Sequence, residues 1–161
     1  MSLSRSFARG DTSWLRGLLG LFYKPARLQI AALCMRPGET ETEILLVSTR
    51  DTGRLILPKG WPEPDRQDHE TAATEAYEEA GVVGQADPRA LGTFSSYKGR
   101  SDGSKVRTRV LVFKLQFEKQ LSKFPELGQR QCLWLPFSEA VDRANESSLK
   151  RFLLRHRAEI A

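Results

Sequence analysis

The chain has 161 residues, 40% of them hydrophobic and 28% charged, which fits one soluble domain large enough to bury a core. No apolar run approaches the roughly 20 residues that span a bilayer. The net charge of +5 is uneven: residues 1–27 carry Arg5, Arg9, Arg16, Lys24 and Arg27 against Asp11 alone. The rest of the chain is close to neutral, so nucleic acid is not an expected partner of the folded part. Cys34 and Cys132 lie in separate apolar runs without metal-ligand spacing, which predicts buried reduced thiols and a cytoplasmic chain.

In chain order, residues 1–26 form a basic N-terminal arm ahead of a single domain over 27–161. Arg16 interrupts its apolar stretch "WLRGLLGLFYK" and no small-residue cleavage site follows, so export is not expected. Trp14, Leu18, Leu21 and Phe22 fall near amphipathic spacing, which leaves packing on the domain, exchange with a neighbour or contact with a membrane surface open. "QIAALCMR" from Gln29 reads as a buried strand, "PGETET" as a turn and "EILLVST" as a second strand, with "RLILP" beyond "RDTG". Asp68 to Ala80 reads as a helix: Ala72, Ala73, Ala76 and Ala80 recur near helical spacing, Asp68 can cap and Gly81 can end it. "ALGTFSSYK" and "VRTRVLVFKLQF" read as strands around a basic loop, and "RQCLWLPF" as another strand. "SEAVDRANE" and "SSLKRFLLRHRAEI" read as closing helices, each opened by a serine that can serve as N-cap. This order predicts an α+β or α/β sandwich.

On the mid-chain helix, Glu75, Glu78 and Glu79 stand at i, i+3 and i+4 and so share one face. Like charges at that spacing each cost a helix a few tenths of a kcal/mol, so something should offset them. A solvated acidic face is one account. The other is a hard divalent cation, Mg²⁺ or Mn²⁺, bound together with substrate phosphates. Lys59 in "LPKG" is a further candidate for phosphate contact. In "YKGRSDGSKVRTR", Lys98, Arg100, Lys105, Arg107 and Arg109 oppose Asp102 alone, and the last three alternate on one strand face. That parity continues into Leu111, Phe113, Leu115 and Phe117, so the strand is basic at one end and apolar at the other. This predicts a pocket rim for polyphosphate, with a solvated edge as the alternative.

The segment from Gly60 resembles the Nudix box, G-x5-E-x7-R-E-U-x-E-E-x-G-U with U apolar. Gly60, Glu75, Ala76, Glu78, Glu79, Gly81 and Val82 fit seven of its nine specified positions. Arg66 and Thr74 stand where the family has Glu and Arg, which commonly pair there. Losing both partners is less damaging than losing one, and Arg66 can pair with another carboxylate. The similarity extends from about Gln29 to His156. It implies the Nudix fold, a mixed β-sheet in an α/β/α sandwich. It also implies metal-dependent hydrolysis of phosphoanhydrides, with Glu75, Glu78, Glu79 and the Gly60 carbonyl on the metal and the base among the glutamates unassigned. Glu118 and Glu126, the nearest acidic residues outside the box, read as turn residues.

"AALCMR", "EILLVSTR" and "LGQRQCLWLPFSEAV" are most similar to the branch of diphosphoinositol polyphosphate phosphohydrolases and dinucleoside polyphosphate hydrolases. That similarity implies substrate contacts at Arg27, Ser48, Arg50 and Arg130. Trp134 and Phe137 read as core. The expected substrate is a highly phosphorylated small molecule. A nucleotide-sugar or other nucleoside-diphosphate pyrophosphatase is the second reading, and a non-catalytic ligand- or RNA-binding module the third. The sequence does not set the oligomeric state.

Overall fold

The computed structural model describes residues 26–99 and 102–160; the N-terminal arm lies outside them. Seven strands form one mixed sheet: β1 (Arg27–Arg36), β2 (Glu43–Ser48), β3 (Leu55–Ile56), β4 (Lys59–Gly60), β5 (Val82–Gly99), β6 (Lys105–Gln120) and β7 (Cys132–Pro136). The helices are α1 (Asp68–Ala80), α2 (Phe137–Arg143), α3 (Ser147–Arg155) and α4 (Arg157–Ile160). The strand order is β3-β2-β1-β6-β5, with β4 also on β1 and β7 on β2. Among the described residues only β1 and β6 pair in parallel, and the other pairs are antiparallel.

β1 is apolar from Ile30 to Met35, and Ile30–Cys34 are fully buried because both faces of the strand are covered there. Ile30, Ala32 and Cys34 join the core under α1, and Ala31 and Leu33 join the core under α2 and α3. One edge of β1 is shared. Met35 pairs with Ile44 of β2 at one end, whereas Ile30 and Ala31 pair with Gly60 and Lys59 of β4 at the other. That division brings the "KG" dipeptide to the centre of the sheet, beneath the end of α1.

α1 has the predicted bounds, and Ala72, Ala76 and Ala80 are fully buried against the sheet. Their short side chains let the helix backbone, and with it the glutamates, come close to β4. Gly81 ends the helix at φ +68°, and its N–H donates to Tyr77 O at 2.8 Å. A Cβ at Gly81 would meet Phe124 Cδ1 at 2.5 Å and Leu121 O at 2.8 Å, so glycine is required on two counts.

Several local expectations give way to tertiary contacts. Asp68 lies inside the first turn, and the chain enters the helix at Gln67, whose N–H donates to Glu70 at 3.0 Å. Ser138 does not cap: its N–H and hydroxyl bond the Glu41 carboxylate at 2.8 and 2.9 Å, tying α2 to the β1–β2 turn. Glu146, not Ser147, occupies the cap position of α3, and the last helix breaks at His156. β5 begins eight residues before "ALGTFSSYK", at Val82, because register shifts around Ala86 and Ala90 absorb Asp87–Pro88 while pairing continues. Cys34 is buried and Cys132 half-buried, both as free thiols. Among the described residues, no helix is long and apolar enough to cross a membrane.

Candidate active site

Three contacts hold the end of α1 over β4. The Lys59 N–H donates to Glu79 Oε2 at 3.2 Å, and Arg130 Nη2 pairs with Glu79 Oε1 at 2.6 Å. Gly60 lies so close to the Glu75 carboxylate that a Cβ there would collide with Glu75 Oε1. Glu79 is only 4% exposed, whereas Glu78 points to solvent. The crowding shows in the protons. Burial, reinforced by Glu79, Glu78 and Glu126, pushes the Glu75 carboxyl from an ordinary 4.5 up to about 7. Burial also pushes Glu79 up to about 7, against the pull of Arg130.

Arg130 is the hub behind Glu79. Its Nε donates to Glu126 Oε2 at 2.6 Å and its Nη1 to Ser48 O at 3.0 Å. Arg50 extends this network outward, donating to Gln129 Oε1 at 3.2 Å and lying 3.8 Å from Glu126 Oε1. Ser48 is 7% exposed and its Oγ accepts the Gln131 N–H at 2.9 Å. Arg130, Ser48 and Arg50 therefore meet as a layer that holds Glu79.

The other predicted contacts divide between two sheet faces. Arg27 and Lys98 lie over the Trp61 ring, 4.3 and 4.7 Å from its centre. The Lys59 ammonium donates to Gln29 Oε1 at 3.1 Å, and burial lowers its pKa despite attraction from Glu146 and Glu79. By strand parity these groups occupy the α2–α3 side. Lys105, Arg107 and Arg109 are exposed and share the opposite face with Leu111 and Phe113, which pack under α1. Arg100 lies outside the described residues. Phe137 is core, 2% exposed, and Trp134 packs edge-on against Phe117.

The two unusual box positions are joined. Arg66 Nη1 donates to Thr74 Oγ1 at 2.6 Å and pairs with Glu63 Oε1 at 3.1 Å, and Thr74 Oγ1 donates to Glu70 O at 3.0 Å. A brace between loop and helix persists with its donor on the loop side. Two site residues escape the sequence reading. Glu126 reads there as a turn residue, but its N–H donates to Glu78 O at 3.0 Å and its carboxylate touches Arg130. No local pattern marks it, because the contact depends on how the β6–β7 connection returns to α1. Trp61 follows Gly60 directly, and an aromatic at that point was a visible signal.

The chemistry fits a hard cation. Glu75 at Gly60 and Glu79 at the Lys59 N–H bring two carboxylates to successive residues of β4, and a side chain at position 60 would collide with Glu75. Among the described residues, no three ligand groups yet converge on one point, and Arg130 covers one oxygen of Glu79. The surface hollow at Pro37–Thr42 and Arg157 shares no residue with this site.

The fold is a mixed sandwich with the glutamates of one helix set over a glycine-bearing strand, the arrangement that the resemblance to the Nudix box implies. The chain belongs to the Nudix family: the NUDIX domain model matches residues 26–155. It is 36% identical over 120 residues to Nudix hydrolase 21, chloroplastic, of Arabidopsis thaliana, covering 72% of this chain and 57% of that protein. It is 45% identical over 83 residues to diphosphoinositol polyphosphate phosphohydrolase 3-alpha of Mus musculus, covering 51% of this chain and 47% of that protein. The match thus spans about half to three fifths of these relatives' length. A C. elegans Ap4A hydrolase structure shares the fold at TM-score 0.62 and 16% identity, covering 83% of this chain and 97% of that one.

Proposed function

We propose that the chain is a divalent-metal-dependent hydrolase that cleaves phosphoanhydride bonds in highly phosphorylated small molecules. The carrying observation is the packing of the α1 glutamates on β4: the half-buried Glu75 carboxylate crowds Gly60, and the buried Glu79 accepts the Lys59 N–H. Glu75, Glu78, Glu79 and the Gly60 carbonyl would hold Mg²⁺ or Mn²⁺. When bound, that ion supplies charge neutralisation on phosphate oxygens and a lower pKa for water. The chain's own residues orient the set. Lys59 N–H and Arg130 hold Glu79, while Arg66 and Thr74 brace the loop. Arg27, Lys98, Lys105, Arg107 and Arg109 supply positive charge for the phosphate chain. A highly phosphorylated substrate is supported by the likeness to a diphosphoinositol polyphosphate phosphohydrolase and to the fold of an Ap4A hydrolase. We assign a reducing compartment, the cytoplasm, on the free thiols of Cys34 and Cys132.

The test is phosphate release from a panel of dinucleoside polyphosphate, diphosphoinositol phosphate and nucleotide sugar, with and without Mg²⁺. Release should require the metal, and Glu78→Gln or Glu79→Gln should cut turnover by about 10²-fold or more with the far-ultraviolet spectrum intact. Full activity in both variants removes these glutamates from the site. Salt-sensitive RNA binding without phosphate release from any substrate supports the non-catalytic reading instead.

A further inference from the structure

β5 ends the sheet on one side: among the described residues its only strand partner is β6. On an edge strand, alternate backbone N–H and C=O groups turn away from the single neighbour. Proteins commonly blunt such an edge with a bulge or a proline. In β5 the register shifts and Pro88 lie before Gly92, and from Gly92 to Gly99 the pairing with β6 runs without a shift. This stretch is therefore a regular, unpaired edge. Thr93 and Ser95 are exposed on it, while Phe94 turns inward onto Phe152, with ring centres 5.4 Å apart.

α3 stands beside the same stretch. A hollow of about 220 Å³ lies between Thr93–Ser95 and the helix stripe of Ser148, Arg151 and Arg155. Their spacing at i, i+3 and i+7 puts the three on one side of α3. No carboxylate lines the hollow. The nearby acids are engaged elsewhere, Glu146 with Ser96 and Arg54 and Glu159 with His156. Among the described residues, Arg151 and Arg155 have neither an ion pair nor a side-chain hydrogen bond. Two unspent guanidinium groups thus face a strand edge whose backbone is also unspent.

Spacing and charge select the occupant. Four residues along a helix advance about 6 Å, and alternate residues of a strand, which share a face, advance about 6.6–6.8 Å. A strand laid on β5 with acidic residues at alternate positions would set successive carboxylates against Arg151 and Arg155, each able to grip one with two N–H groups. Its backbone would meanwhile pair with the free edge. A lone phosphate satisfies the arginines and leaves the edge unpaired. A second copy of this edge would bring the two arginines against their own counterparts. The arm over 1–25 brings Arg5, Arg9, Arg16 and Lys24 against Asp11 alone, so charge opposes it as well.

We propose that the groove between β5 and α3 binds an extended acidic peptide segment of a partner protein, which adds a strand to the sheet and sets its carboxylates on Arg151 and Arg155. The groove shares no residue with the glutamate site, so this docking surface is independent of the hydrolytic reading.

Fluorescence anisotropy on the full chain tests this with a labelled peptide of four Glu-Val repeats and a Lys-Val peptide of the same length. The acidic peptide should bind saturably and the basic one should not. Replacing both arginines, Arg151→Ala with Arg155→Ala, should weaken the acidic peptide by about tenfold or more. Both side chains are exposed, so the melting temperature of that variant should hold. N-methylation of every peptide residue removes the backbone donors and should weaken binding by about tenfold as well. Excess tripolyphosphate with Mg²⁺ should leave binding unchanged. The groove is overturned by no binding to the unmodified chain, by equal binding to the double variant, by full binding of the methylated peptide, or by displacement with tripolyphosphate. Absent binding together with dimerisation of the double variant would reduce the arginines to guards against edge pairing.

Discussion

Glu79 carries a charge that burial opposes, and its neighbours decide whether it keeps it. Arg130 and the Lys59 N–H favour the carboxylate, while burial and Glu126 favour the acid. Glu75 has no such counterweight; burial and its neighbouring carboxylates all raise its pKa. Both groups rise from 4.5 to about 7, so between those values the folded protein binds more protons than the unfolded chain. Stability of the metal-free protein should therefore fall as pH rises through that window, and divalent metal should restore it above pH 7. Melting temperatures at pH 5.5 and 7.5, with chelator and with Mg²⁺, check this. Glu75→Gln should shrink the fall; an unchanged pH dependence in that variant would show that Glu75 is not the group responsible.

At the scale of an element, α1 works because both its ends are pinned. Gly81 turns the chain out at φ +68°, and Arg66 ties the incoming loop to Thr74 one turn before Glu78. The Arg66–Thr74 bond is exposed, so its removal should cost little stability, about 0.5–1.5 kcal/mol. Its effect on catalysis should be larger, because a small shift of the loop moves Gly60 against Glu75. Thr74→Val should lower kcat by about 10-fold to 100-fold with KM little changed, and Thr74→Ser should retain activity. Equal kcat for all three proteins would reduce the brace to a surface contact.

Across the whole molecule, the sheet separates two basic sets. Arg27 and Lys98 gather over Trp61, with Lys59 at Gln29, on one face, and Lys105, Arg107 and Arg109 line the other. If the second set steers a polyanion to the glutamates, neutralising all three should raise KM for a highly charged polyphosphate by about tenfold and for a nucleotide sugar much less. The difference should fade as salt rises. An equal, small change for both substrates would mark a solvated sheet edge.

The sequence by itself determined the mixed sandwich, the bounds of α1 and the joint placement of Gly60, Glu75 and Glu79. The strands and α1 follow from short-range rules, since apolar runs make strands, small residues at helical spacing make a close-packed face, and a glycine ends a helix; the mixed sheet and the placing of Gly60 with the glutamates follow from the resemblance to the Nudix box. Only the tertiary structure decided that Glu126 and Arg130 stand behind Glu79, and that serines expected to cap α2 and α3 do not. It also decided that Ser96 bonds Glu146 and that the Lys59 ammonium bonds Gln29. Those residues come from separate elements, and their meeting depends on strand order and register, which no local pattern encodes. The odd box positions show both sides of this. Their departure from the family pattern was legible, but the bond that joins Arg66 to Thr74 needed the loop's path in space.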